Sequence, residues 1–272
     1  MKVCVVNDRF TLKGPGGGQY RILGIARQLQ KLDFDVTLCC PYFHSRSLYD
    51  FPEVPPQKSW FRNQYANTIE LLQKISEKNG YDALLVELPC PITKGATVFY
   101  GKGANKHVFV DFGDLWYSDE TGLIHRKINA FLVKKICEKA DRISAATRSL
   151  QNLLTEITGR EVLYSPCGVD IEMFNPKNTA KINIPEAEGK FVILYQGAIN
   201  SFTGCQFLPQ IAKGVIMDGG KKDVVFLVVG DGPLLENLKT KVRQNNFSEH
   251  FIFTGKVNHS VIPRYIAAAN VV

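Results

Sequence analysis

The feature that most restricts the fold is a repeated unit, a short continuous apolar run followed by a stretch of helical period. The early runs are Lys2 to Val6, Asp35 to Cys40, Asp82 to Leu88 (DALLVEL), His107 to Phe112 (HVFVDF), Arg142 to Ala146 and Glu161 to Tyr164. Between them Gln19 to Leu32, Phe61 to Lys78, Ile92 to Tyr100, Leu123 to Lys139 and Ser149 to Glu156 read as helices. The first of these sets Ile22, Leu23, Ile25, Ala26 and Leu29 on one side, and Asn79-Gly80 supplies a stop for the second. Runs that stay apolar at successive positions suit strands covered on both faces, and strand, helix, strand closes as a right-handed crossover between parallel strands.

A second alternation follows a polar, proline-containing stretch. Residues 1–175 read as one α/β domain, 176–189 as a linker and 190–272 as the start of a second domain. In that second part Lys190 to Gln196 (KFVILYQ), Asp223 to Val229 (DVVFLVV) and Phe251 to Phe253 are strands, with Thr254 to Asn258 as a loop. Phe202 to Met217, Leu234 to Gln244 and Ile262 to Ala269 are helices, Pro233 being suited to the first turn of its helix. Val271-Val272 reads as the beginning of another strand. A doubly wound sheet needs both faces packed, so the second domain is expected to be truncated.

With 45% hydrophobic residues the chain can bury a substantial core. Its net charge of +7 is spread and interleaved with acids, without a long run of one sign. This does not favour a nucleic-acid partner; it fits a solvated surface, or more sharply a phosphate-bearing ligand or an anionic membrane face. Leu123 to Lys139 mixes apolar residues with Arg126, Lys127, Lys134, Lys135 and Lys139, as a solvated basic face or a lipid-resting helix would. The seven cysteines, at 4, 39, 40, 90, 137, 167 and 205, show neither CxxC pairs nor framework spacing, which reads as reduced thiols in a cytoplasmic protein. The start Met1-Lys2-Val3 enters a strand pattern directly and reads as one without a signal peptide.

Gly14-Pro15-Gly16-Gly17-Gly18 lies between the first strand and the first helix, a location that brings backbone N–H groups close to a phosphate. A flexible surface turn is the plainer reading. The dinucleotide fingerprint fails, because Gln19 or Arg21 falls at its third glycine and the loop Asn7 to Lys13 is too long for that tight turn. No Gly-Lys-Ser/Thr follows, so the P-loop pattern fails as well.

Several stretches together resemble the GT-B glycosyltransferases, specifically the large retaining group called family 4. GGGQYRILGIARQLQKLDFDVTL is similar to that family's Gly-Gly loop, first helix and second strand, and ADRISAATRSLQNLL to a late unit of its N-terminal domain. SPCGVDIEMF resembles the interdomain Asn-Gly-Val-Asp segment, with Cys167 in place of Asn. FLVVGDGPLLENL and FIFTGKVNHSVIPRYIAAANVV are similar to the donor-domain signature.

The resemblance implies two Rossmann-like doubly wound domains facing a cleft. It implies a nucleotide-diphosphate sugar as donor substrate and a lipid-linked, oligosaccharide or polysaccharide acceptor, with no cofactor and no bound metal. By the same resemblance Gly17 and Gly18 approach the donor phosphates, and Asp114 of Asp114-Leu115-Trp116 contacts sugar or acceptor. The plainer reading of Asp114 is a cap for the helix starting near Thr121 to Leu123. Gly113 stands where the family often has His.

Gly197, Asn200 and Ser201 match the first donor-domain turn, where Ala198 and Thr203 replace the Arg and Lys that clamp the diphosphate. Gly230 and Gly232 match the donor wall, and Lys256 and Val257 the loop whose backbone meets the nucleobase. A spaced pair of glutamates that holds the donor in the family falls after residue 272. The implied activity is retaining glycosyl transfer, in the cytoplasm or at the inner face of a membrane. Loss of both clamp cations leaves a second reading, a catalytically degenerate relative that binds nucleotide or glycan. A nicotinamide-dependent oxidoreductase would need a tight dinucleotide turn that neither glycine stretch supplies.

Overall fold

The computed structural model describes residues 1–6, 17–39, 64–88, 91–114 and 123–272, which fall into two compact units, Met1–Gly168 and Val169–Val272. Gly14 to Gly16, the loop Tyr42 to Lys58 and Leu115-Trp116 lie outside the described residues.

In the first unit β1 (Lys2–Val6), α1 (Gly17–Lys31), β2 (Asp35–Cys39), α2 (Gln64–Lys78) and β3 (Ala83–Glu87) are followed by α3 (Pro91–Gly103), β4 (His107–Phe112), α4 (Leu123–Lys139), β5 (Arg142–Ala145), α5 (Arg148–Thr158) and β6 (Leu163–Tyr164). The strands form one parallel sheet in the order β2-β1-β3-β4-β5-β6. The period of two explains why the runs are apolar throughout. Val3 and Val5 of β1 meet Ile22, Leu23 and Ala26 of α1 on one face, while Cys4 and Val6 meet the cluster of Leu72, Ile75, Val98 and Ile136 on the other. Order reverses at β1, which has β2 on one side and β3 on the other. Ligand sites of open α/β sheets lie beyond the strand C-termini at such a reversal.

The second unit contains β7 (Phe191–Gln196), α6 (Leu208–Lys213), β8 (Val224–Val229), α7 (Leu235–Gln244), β9 (Phe251–Gly255) and α8 (Ile262–Ala268), its strands parallel in the order β7-β8-β9. Val224, Phe226 and Val228 face Leu208, Ala212 and Leu238, whereas Val225, Leu227 and Val229 face Tyr265 and Ile266. Val271 bridges in parallel to Ile193, as expected of a further strand. The segment 176–189 rests on this unit: Ile182 N–H donates to the Arg264 carbonyl, and Ile184 and Ala187 join the core beside Val192.

Three expectations are corrected. Phe202 to Met217 is not one helix but a 3-10 turn (Cys205–Phe207), α6 and a π turn (Gly214–Asp218). Gly204, at φ 77, bends the chain before any helix starts, and Pro209 has no N–H to give to a preceding turn. Pro233 precedes the α7 cap residue Leu234 instead of lying in the first turn. The run from Glu161 pairs only at Leu163 and Tyr164.

Of the cysteines, Cys4, Cys39, Cys137 and Cys205 are buried and Cys167 is exposed, and none of these five is in a disulfide. Burial pushes the Cys137 thiol up to about 12, against the opposing charge of Arg160. Cys40 and Cys90 lie outside the described residues. Among the described residues no helix is long and apolar enough to cross a membrane.

Candidate functional site

Each unit gathers its candidate residues at the C-terminal end of its own parallel sheet. In the second unit three strand-end turns brace one another through backbone hydrogen bonds. Gly197 N–H donates to Val229 O, Ile199 N–H to Asp231 O, Leu234 N–H to Ile199 O, and Gly230 N–H to Gly255 O, all at 3.0 to 3.1 Å. This packing is close enough to exclude side chains. A Cβ on Gly230 would overlap the Gly197 carbonyl oxygen, and one on Gly232 would overlap that of Ile199. Gly197, Gly230 and Gly232 therefore lie together; at 230 and 232 the residue type follows from backbone-to-backbone contact, and at Gly197 from a φ of +148.

The turn after β7 is closed by side chains. The Ala198 carbonyl accepts from Tyr195 Oη at 2.9 Å and from Thr203 Oγ1 at 2.8 Å. Asn200 Oδ1 accepts from Phe202 N–H at 3.3 Å, and Gln206 Nε2 donates to the Ser201 carbonyl. Ser201 and Phe202 stand exposed at the tip, with Phe202 85% exposed. Thr203, which sequence comparison treats only as a missing cation, thus supplies the hydroxyl that closes the loop. Burial raises the Tyr195 phenol, which stays protonated and able to donate at neutral pH. Lys256 is exposed just beyond β9, and Val257 packs partly against the β7-β8 core.

In the first unit Gly17 and Gly18 open α1. Asp114 is exposed two residues beyond β4. The capping role weighed for Asp114 involves residues outside those described.

Sequence reasoning missed a polar group at the ends of β3, β4 and β5. Glu87, Asp111 and Ser144 are neighbours in register across the three strands, and Glu87 and Asp111 are 3% and 1% exposed. Arg21 reaches in from α1 and binds Asp111 with both arms of its fork, Nε to Oδ2 and Nη2 to Oδ1, each at 2.9 Å. Ser144 Oγ adds a third donor to Asp111 at 2.6 Å. Burial works against the Arg21 charge, but the Asp111 carboxylate outweighs it and holds the guanidinium above its ordinary value. The available signal was an acid near the end of two mostly apolar runs, DALLVEL and HVFVDF, where unpaired burial would be costly. Gly113 leaves room beside this group, since a Cβ there would meet Arg21 Cδ and Glu87 Oε1 at an ordinary 3.6 Å.

Among the described residues no group of three or more His, Cys, Asp and Glu side chains has metal-holding geometry.

Several solved structures share this fold at low identity. Anabaena HepE, in complex with UDP-glucose, is 14% identical over 99% of this chain and 72% of that one, with a TM-score of 0.75. The lipopolysaccharide outer core galactosyltransferase WaaB, in its apo form, is 16% identical over 99% and 72%, with a TM-score of 0.58. WaaG, a glycosyltransferase involved in lipopolysaccharide biosynthesis, is 14% identical over 98% and 73%, with a TM-score of 0.63. No curated protein sequence matches the chain. The Glycosyl transferases group 1 family matches residues 190–272, and the Glycosyltransferase Family 4 description matches residues 15–173. Since the second match alone takes in more than half of the sequence, with two parallel α/β units of the GT-B kind, the chain belongs to glycosyltransferase family 4.

Proposed function

We propose that this glycosyltransferase moves a sugar from a nucleotide-diphosphate donor to a lipid-linked, oligosaccharide or polysaccharide acceptor with retention of anomeric configuration. The observation that carries the reading is the mutual bracing of the turns after β7, β8 and β9, which admits only glycine at 230 and 232 and gathers the three turns at the strand ends, where ligands of such sheets lie. HepE, of similar fold, was solved with UDP-glucose, which supports a nucleotide-sugar as donor. Gly197, Asn200, Ser201, Gly230, Gly232, Lys256 and Val257 contact that donor in this reading, and Gly17, Gly18 and Asp114 serve the donor phosphates and the sugar or acceptor.

In the retaining step the bond from sugar C1 to the phosphate oxygen breaks while a bond from C1 to the acceptor oxygen forms on the same face. The acceptor proton passes to the departing phosphate. Backbone N–H groups stabilise the charge that develops, and no metal takes part.

The same reading gives α4 a place against an anionic lipid surface at the inner face of a membrane. Its Ile128 and Phe131 are 49% and 59% exposed, with Lys127, Lys134 and Lys135 exposed beside them.

A screen of UDP-, GDP- and ADP-linked sugars with the full-length protein tests the proposal. Transfer with an unchanged anomeric configuration by NMR is the expected result; transfer with inversion overturns the stereochemical part. Ala198 and Thr203, in place of two cations, favour one alternative, a nucleotide- or glycan-binding module without turnover. Nucleotide binding without transfer from any donor would select it.

A further inference from the structure

Arg21 ties together three parts of the first unit that are distant in sequence. It lies one turn into α1, three residues after Gly18, the second of the glycines that open the helix. Its fork holds Asp111 on β4; Nη2 also donates to the Ser165 carbonyl at 2.6 Å, and Nη1 stands 3.7 Å from Cys167 Sγ. Ser165 N–H in turn donates to the Ala145 carbonyl at the end of β5. The side chains of Arg21 and Asp111 are 4% and 1% exposed.

A buried ion pair of this kind adds little net stability, because removing two charges from water offsets most of their attraction and an apolar pair of like volume often serves as well. What the pair has that an apolar one lacks is orientation. Two parallel N–H···O bonds admit one geometry, and a third donor, Ser144 Oγ, fixes the carboxylate they bind.

We infer that Arg21 is a positioning residue for the transfer reaction: through Asp111 and Ser165 it fixes the glycine end of α1 on the strand ends of the first unit. The kinetic part of this inference rests on the proposed transferase reading; the positional part does not. Gly17 and Gly18 have no side chains of their own to hold them in register, and the Arg21 guanidinium, three residues on, is fixed to β4 and to the Ser165 carbonyl.

The test uses the full-length protein and the double variant Arg21→Met/Asp111→Leu, which removes both charges and leaves neither unpaired. Backbone amides at residues 21 and 22 bond to the carbonyls of Gly17 and Gly18, so their hydrogen exchange reads the positioning directly. Exchange there is expected to quicken about tenfold or more, while amides at Leu72 and Ile75 stay within about threefold. With the sugar donor found by screening, kcat is expected to fall about tenfold or more while the donor KM stays within about threefold.

Unchanged exchange at residues 21 and 22 overturns the inference whatever happens to turnover. An intact kcat, or a loss confined to KM, overturns its kinetic part. Should the double variant not fold, Arg21→Lys keeps the charge without the fork and is expected to show the same split; unchanged exchange at residues 21 and 22 in that variant overturns the inference, and a wild-type kcat overturns its kinetic part. A wild-type protein silent towards every donor sinks the transferase reading instead, and the exchange measurement still decides the positioning.

Discussion

The backbone of Gly230 lies so close to Gly197 that a Cβ at residue 230 would stand 3.0 Å from the Gly197 carbonyl carbon and overlap its oxygen. Neither side can yield easily, because Gly197 N–H is bonded to Val229 O and Gly230 N–H to Gly255 O.

Gly230→Ala is therefore expected to destabilise the second unit by about 3 kcal/mol or more, the range of overpacking against backbone with added strain. Gly24→Ala is the matched control. Gly24 lies exposed within α1 with nothing within 4 Å of its missing Cβ, so the change should stabilise by roughly 0.5–1 kcal/mol through helix propensity. Denaturant melts of both variants check the pair; equal effects would show that the close approach at Gly230 is not what selects glycine.

A second prediction concerns the carbonyl of Ala198, which accepts from both Tyr195 Oη and Thr203 Oγ1. Either Tyr195→Phe or Thr203→Val leaves one donor, so each alone should cost about 1 kcal/mol or less. Removing both strands the carbonyl, and the double variant should lose more than the sum of the singles by about 0.5 kcal/mol or more. Strict additivity in a double-mutant cycle by thermal melting would mean that the two hydroxyls do not share one acceptor. If the turn also meets the donor, its KM should rise in the same order as the stability losses.

These turns show what sequence patterns carry and what they omit. The apolar runs KVCVV, FVILYQ and VVFLVV declare themselves because both faces of each sheet are covered, and the glycines at 197, 230 and 232 were found through a family pattern that sets them just after such runs. Asp111 escaped notice for the same reason that the strands were found: within HVFVDF it is one polar residue in a buried run, and its partner Arg21 is 90 residues away. The role of Thr203 was hidden because a comparison of motifs registers the lost lysine and not the hydroxyl's bond to Ala198. The break in Phe202 to Met217 escaped because the left-handed bend at Gly204 belongs to the turn's closure, and helical period alone does not register it.

On α4, Lys135 Nζ lies 5.8 Å from the Phe131 ring centroid and 2.7 Å from Glu138 Oε2, so an exposed aromatic is flanked by charge. If this side meets anionic lipid, Lys134→Glu/Lys135→Glu should reduce binding to phosphatidylserine-containing vesicles by more than tenfold, from about 1 kcal/mol per lysine lost and further repulsion from each glutamate. Phe131→Ser should weaken it as well, and less steeply with salt. Co-sedimentation that is indifferent to both changes would return α4 to an ordinary solvated face.

The last prediction follows from His259, in the second unit, whose ring meets Phe174 edge-on at 5.6 Å between centroids. Burial lowers its pKa from the ordinary 6.5, and the Asp170 carboxylate opposes that shift without cancelling it. The folded state therefore holds fewer protons on this residue than the unfolded state does once pH falls below about 6.5. Stability from the neutral ring is fully present above that pH and is lost as pH falls through the lower folded value. Melting of the protein between pH 7.5 and 5 should show a decline that His259→Gln flattens, because glutamine does not titrate. Asp170→Asn removes the opposing charge, lowers the folded pKa further and should steepen the same decline. A wild-type profile that the glutamine variant reproduces unchanged would assign the acid loss to other groups.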